Sequence, residues 1–133
     1  MDCIFCKILK GDIPARKVFE NERFIAILDA FPANEGHTLV IPKKHFENIF
    51  EIDEETISEA YKIAKNIAEK IKANMGIENI NILQNNGATA GQSVNHFHIH
   101  VIPRIENDTV TIKSEVVKIS NERLDEIKDI LSK

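Results

Sequence analysis

The chain predicts an α+β fold, with an antiparallel sheet of about five strands, one long helix and short terminal helices. Three observations lead there. Short β-type runs come in hairpin-like pairs, one long segment carries helical periodicity, and no repeat, low-complexity tract or Pro/Gly-rich linker divides residues 1–133. A single domain is expected, large enough at 43% hydrophobic content to bury its own core.

The elements follow in order. Cys3 to Lys10 reads as a short helical turn ended by Gly11. Lys17–Glu20 and Phe24–Leu28 read as two strands around an Asn21-Glu22 turn. His37–Pro42 (His-Thr-Leu-Val-Ile-Pro) reads as a third strand stopped by its proline. The helix is predicted from Glu54 to Met75, where Ile57, Ala60, Ala64, Ile67, Ile71 and Met75 make one apolar stripe. Asp53 suits its N-cap, Glu54 and Glu55 suit the positive end of its dipole, and Gly76 suits its exit. Strands are expected at Ile80–Gln84 and His96–Ile102, joined by the Asn- and Gly-rich residues 85–95. After Pro103 the pattern weakens to a strand near Glu115–Lys118 and a helix from about Asn121.

Composition excludes several functions. A net charge of −4 and a pI of about 5.7 argue against a nucleic-acid binder, which is usually basic. Met1-Asp2-Cys3 opens without an apolar h-region, and no run reaches membrane-spanning length, so a cytoplasmic protein without membrane association is expected. Two cysteines do not make a disulfide scaffold.

The strongest chemical signal is His96-Phe97-His98-Ile99-His100-Val101-Ile102, which holds three of the five histidines in the chain. Side chains alternate across a strand, so three imidazoles are expected on one face, roughly 6–7 Å apart, with Phe97, Ile99 and Val101 on the other. Imidazole can be a nucleophile, a proton carrier or a metal ligand near neutral pH. His98 has a histidine on either side, and a hydrogen bond through one nitrogen would leave the other to attack an electrophile. The preceding loop offers the complement. Gly87 and Gly91 allow close backbone approach to a phosphate, and Asn85, Gln92 and Ser93 carry side-chain donors. Donors fixed around a phosphoryl group stabilise charge developing on its oxygens, which points to transfer through a phosphoryl-histidine intermediate. Two other readings stay open on the residues alone: histidines coating an exposed sheet face, or His96, His98 and His100 as metal ligands.

These residues resemble the His-φ-His-φ-His-φ-φ signature (φ apolar) of the histidine triad (HIT) nucleotide-binding proteins. Ile4-Phe5 with Lys7-Ile8, Ile13-Pro14-Ala15, Leu28-Asp29, Gly36 to His45 and Gly91-Gln92-Ser93 fall in family order, so the likeness covers most of the chain. The Cys-x-x-Cys start and Ile102-Pro103-Arg104 resemble the bacterial and archaeal branch, close to the histidine triad nucleotide-binding (Hint) proteins. The resemblance implies the HIT-like fold, with residues 105–133 as a variable C-terminal tail. It also implies a purine nucleoside monophosphate hydrolase or transferase, a homodimer paired through its long helix and an adjoining strand. Neither a catalytic metal nor an organic cofactor is expected. By position, His98 resembles the nucleophile, with the His96 carbonyl orienting its ring and His100 and His37 completing the polar site. Asp29 resembles the carboxylate that takes the ribose hydroxyls. Asn85, Gly91, Gln92 and Ser93 resemble the phosphate and leaving-group contacts, and Phe5, Ile8, Ile13 and Ile27 the apolar slot for the purine. A non-catalytic nucleotide-binding module would use the same pocket.

Cys3 and Cys6 form Cys-Ile-Phe-Cys. A thioredoxin-type motif follows a strand, and none fits before Cys3. Half of a structural zinc site is the better reading, with His45 and His96 as available partners, against a pair of unliganded thiols. Related nucleotidylyltransferases acting on galactose 1-phosphate carry a comparable zinc, in which the first triad histidine is a ligand.

Overall fold

The computed structural model describes residues 3–133; Met1 and Asp2 lie outside the described residues. Five strands make one antiparallel sheet: β1 (Lys17–Glu20), β2 (Phe24–Leu28), β3 (Thr38–Pro42), β4 (Asn79–Leu83) and β5 (Ile99–Arg104), in the spatial order β1-β2-β3-β5-β4. Three α-helices accompany them among the described residues: α1 (Ile4–Lys10), α2 (Glu54–Met75) and α3 (Asn121–Leu131). No helix among them is long and apolar enough to cross a membrane.

Local chemistry sets the element ends. Asn21 Oδ1 accepts from the backbone N–H groups of Arg23 and Phe24, which closes the β1–β2 turn. Asp53 caps α2 by accepting from the Thr56 N–H, and Gly76 ends it in the left-handed conformation. The α2 stripe differs from expectation at two places. Ile63 joins the buried face, while Met75 is 43% exposed at the last turn.

The sheet separates two clusters. Phe24, Ala26, Val40, Phe97, Ile99 and Val101 pack against Ala60, Ala64, Ile67 and Ile71 of α2. On the other face Ile25, Ile27, Leu39 and Ile41 pack with Phe5 of α1, and Ile8 leans on them. Ile27 pairs with Leu39 and Leu39 with His100, so the histidine face of β5 is this second face, away from α2.

Two expectations are corrected. Residues 111–120 carry no strand: Glu115–Lys118 are exposed and pair with no strand of the sheet. β5 begins at Ile99 rather than His96 and runs on through Pro103 to Arg104. The delayed start has a side-chain cause: the His96 ring, not a ladder amide, bonds the Pro42 carbonyl at 2.8 Å. At the other end β3 stops pairing at the Thr38–Val101 register, and the Pro103 carbonyl accepts from the Asn34 side chain instead. The missing N–H of Pro103 therefore faces a side with no ladder partner.

Candidate active site and metal centre

Residues 94–98 bring the first two triad histidines up to β5, and the Phe97 N–H anchors the segment on the Phe46 carbonyl at 2.7 Å. Backbone groups then decide which nitrogen of each ring carries the proton. A carbonyl can only accept and an N–H can only donate. The His96 carbonyl accepts from His98 Nδ1 at 2.7 Å, so Nδ1 holds the proton and Nε2 keeps a lone pair. Pro42 accepts from His96 Nε2, which leaves the lone pair of His96 on Nδ1. The Ala33 N–H donates to His37 Nδ1 at 2.9 Å, so His37 Nε2–H donates in turn to His100 Nδ1, also at 2.9 Å.

His98 is 4% exposed, with Phe5 edge-on at 5.0 Å between ring centroids and His100 at 4.9 Å on the other side. Burial holds the His98 imidazole below its ordinary value; the bond to His96 and the charge of Asp29 oppose that shift. His100 is pushed down to about 4, by burial first and then by its histidine neighbours. His37 is lowered for the same first reason. All three rings are neutral near pH 7, the form a nitrogen nucleophile and its hydrogen-bonding neighbours need. Asp29 sits beside them, its Oδ2 3.6 Å from His37 Nε2 and its Oδ1 accepting from the Phe31 N–H. Asp29, His37 and His100 could bracket a cation, with ligand atoms within 4.8 Å of one another. The Ala33 bond argues against it, because the His37 nitrogen that faces inward already carries a proton. The same protons leave His96, His98 and His100 without a common set of lone pairs, which disfavours the metal-triad reading.

The loop residues behave unequally. Gly91 has φ +93°, a conformation that favours glycine, and Asn85 Nδ2 reaches its carbonyl at 3.4 Å. Gln92 departs from the expectation of a donor facing a ligand. It is 6% exposed, donates to the Glu47 and Val94 carbonyls, and accepts from the Gly87 N–H. All its amide capacity braces the loop. Ser93 is exposed on the rim of a cavity of about 480 Å³ that opens on Cys3 and His45. Of the expected apolar slot, Phe5 and Ile27 are buried with Ile8 against them, and Ile13 is half-buried outside that cluster.

Cys3, Cys6, His45 and His96 converge, their ligand atoms within 4.8 Å of one another. Tetrahedral zinc with ordinary bond lengths puts two nitrogens about 3.3 Å apart and a sulfur and a nitrogen about 3.6 Å apart. Here His45 Nδ1 and His96 Nδ1 are 3.1 Å apart, and the sulfur–nitrogen separations are 3.4, 3.4 and 3.6 Å. The lone pair of His96 points into the cluster because its other nitrogen donates to the Pro42 carbonyl, as the non-ligating nitrogen of a zinc-binding histidine usually does to a carbonyl or carboxylate. These four residues fit zinc and would hold it as a closed structural ion that ties α1, the turn after β3 and the triad segment together. Burial raises the Cys6 thiol above its ordinary value, and a bound cation would reverse that.

Sequence reasoning missed the Ala33 N–H and the Pro42 carbonyl, which set two of the four tautomers. Backbone groups leave no residue-type signal that could have revealed them.

Comparison with known proteins agrees with this geometry. A model of the HIT domain matches residues 10–107. An uncharacterised HIT-like protein of Methanocaldococcus jannaschii is 47% identical over 125 residues, covering 94% of this chain and 95% of that one. The adenosine 5′-monophosphoramidase of Schizosaccharomyces pombe is 45% identical over 104 residues, 78% of this chain and 75% of its own. The crystal structure of a HIT family member from Bacillus subtilis superposes with a TM-score of 0.92 at 39% identity, over 99% of this chain and 96% of that one. A zinc-bound histidine triad protein from Mycobacterium smegmatis does so with a TM-score of 0.79 at 37% identity, over 86% and 84%. The chain belongs to the HIT family.

Proposed function

We propose that the protein hydrolyses or transfers purine nucleoside monophosphates, from adenosine phosphoramidates or dinucleoside polyphosphates, through a nucleotidyl-histidine intermediate. The observation that carries this is the 2.7 Å bond between His98 Nδ1 and the His96 carbonyl, which leaves a buried, neutral imidazole with its Nε2 lone pair free. Nε2 attacks the α-phosphorus as the bond to the leaving amine or phosphate breaks, and the leaving group departs with that electron pair. The ring becomes a nucleotidyl-imidazolium, whose positive charge the His96 carbonyl stabilises. Water then displaces His98 from phosphorus and releases the nucleoside monophosphate. His100 Nε2–H, aligned through His37, serves as a donor to a phosphoryl oxygen in both steps. Asp29 takes the ribose hydroxyls, and Asn85, Gly91 and Ser93 frame the phosphate. The Schizosaccharomyces relative, an adenosine 5′-monophosphoramidase, supports the substrate class.

Zinc at Cys3, Cys6, His45 and His96 holds the fold and takes no part in the bond changes; the donor set and the zinc-bound Mycobacterium relative support it. A cytoplasmic homodimer completes the proposal. The open edge of β4, with Ile82 40% exposed, and the exposed Tyr61 and Met75 of α2 support that pairing.

Mass spectrometry after mixing with adenosine 5′-phosphoramidate tests the chemistry. An AMP adduct on residue 98 is expected. Steady release of AMP without any adduct in a rapid quench, or activity surviving in His98→Ala, would end the proposal. A protein that binds AMP and releases none from substrate would instead be a binding module.

A further inference from the structure

We infer that Asn34, Asp108 and Arg104 are positioning residues that hold the Asp29–His37 loop in register and so set the grip on the nucleotide ribose. The inference rests on the proposed role of Asp29. Residues 29–37 carry two site residues but belong to no helix or strand, so something else must fix them. Within the loop, the Asp29 N–H donates to the His37 carbonyl at 2.9 Å and the His37 N–H to the Asn34 carbonyl at 3.1 Å. These bonds make the loop a unit without saying where it stands.

Besides the His37–His100 bond at one end of the loop, Asn34 ties its middle to the sheet. Its Nδ2 donates to the Pro103 carbonyl at 2.9 Å and to Asp108 Oδ2 at 2.8 Å. The Asp108 side chain is 4% exposed and collects further donors: Arg104 Nε at 2.8 Å, Arg104 Nη2 at 2.9 Å and the Ile105 N–H at 3.1 Å. Arg104 is held from its other side by Asn81 Oδ1 of β4 at 2.8 Å and by the Val110 carbonyl at 3.1 Å. The carboxylate is thus fixed against β4 and β5, and it presents one oxygen to Asn34. Steric fit adds a second hold. Gly36 has φ +89°, and a Cβ there would lie 3.1 Å from both Met75 Sδ and Pro103 Cγ, so the loop lies flat on the end of α2 and β5. A half-buried, bidentate ion pair braced by backbone groups suits a register device, since its geometry has few alternatives.

The clamp is about 74 residues away from Asn34 in sequence and touches no atom of the proposed reaction, so its loss should be read in ribose recognition. Calorimetry with AMP and with 2′,3′-dideoxy-AMP separates that effect from general damage. Wild type should bind AMP more tightly. Asn34→Ala should weaken AMP about tenfold and leave the dideoxy nucleotide within about twofold, and adding Asp29→Ala should cause no further loss. Asn34→Asp, which sets a second carboxylate against Asp108, and Asp108→Asn should both resemble Asn34→Ala. If wild type does not distinguish the two nucleotides, the role given to Asp29 fails. If wild type distinguishes them but Asn34→Ala weakens both alike, or weakens neither, the clamp is not a positioning device and this inference is overturned.

Discussion

His96 and His98 are the same side chain two residues apart, and they carry opposite tautomers. His96 gives its Nε2 proton to Pro42 and turns its Nδ1 lone pair toward two thiols and His45. His98 gives its Nδ1 proton to the His96 carbonyl and keeps its lone pair on Nε2. A carbonyl one strand away leaves the first with its lone pair among the thiols, and a carbonyl two residues back leaves the second with its lone pair on Nε2, the atom proposed to attack phosphorus. The lesson is that the role of an imidazole here comes from which backbone acceptor it meets, not from the motif that contains it. The two rings are also coupled, because the residue that completes the Cys/His cluster accepts the His98 Nδ1 proton on its carbonyl.

The sharpest break of that comparison is to remove each ring in turn. His98→Ala should lower turnover of adenosine 5′-phosphoramidate by at least about a thousandfold while zinc content stays at one ion per chain. His96→Ala should do the reverse in kind, losing zinc and lowering turnover by about 10–100-fold through the slackened His98 ring. Equal turnover losses with zinc retained in both would show that the two rings do not divide the work. Replacing Cys3 and Cys6 together by Ser sharpens the coupling. Zinc should be lost and the melting temperature should drop, with turnover falling by about tenfold or less because the His96 carbonyl stays in place. Zinc analysis beside a thermal melt checks this, and retained zinc would point to the triad as its ligand set.

Acid should act more gently, and in a window of its own. His100 is held near 4 in the folded chain against an ordinary 6.5, so below 6.5 the unfolded chain binds a proton that the folded one refuses. Stability should fall as pH drops from about 6.5 to about 4, by at most roughly 3 kcal/mol for this ring. Asp108, held far below the ordinary carboxylate range first by Arg104, contributes its loss only under more acid conditions. Urea unfolding at pH 6.5 and 4.5 should show the drop, and His100→Gln should reduce it without abolishing it, because His37 and His98 are lowered by burial as well. An unchanged slope in that variant would assign the effect to other groups.

Much of the fold is legible in the residues because local signals agree. Asp53, the apolar spacing of α2 and Gly76 each mark the same helix, and the structure has it from Glu54 to Met75. The Asn21 turn is equally local, since its side chain bonds its own backbone. Legibility fails where a distant partner decides. Glu115–Lys118 has strand-like composition, yet it meets no sheet edge and stays irregular. Gln92 looks like a free donor until the Glu47 carbonyl, 45 positions away, takes it.

The sequence by itself determined that three imidazoles stand apart from an apolar face, that one capped helix covers the sheet, and that two thiols sit one helical turn apart. Those are matters of period and local capping, which act over a few residues. Only the tertiary structure decided which nitrogen of each ring is free, which nitrogens His45 and His96 turn toward the thiols, and what holds the Asp29 loop. Those depend on single hydrogen bonds to Pro42, Ala33 and Asp108, and their direction exists only once the strands are paired and the chain ends have come together.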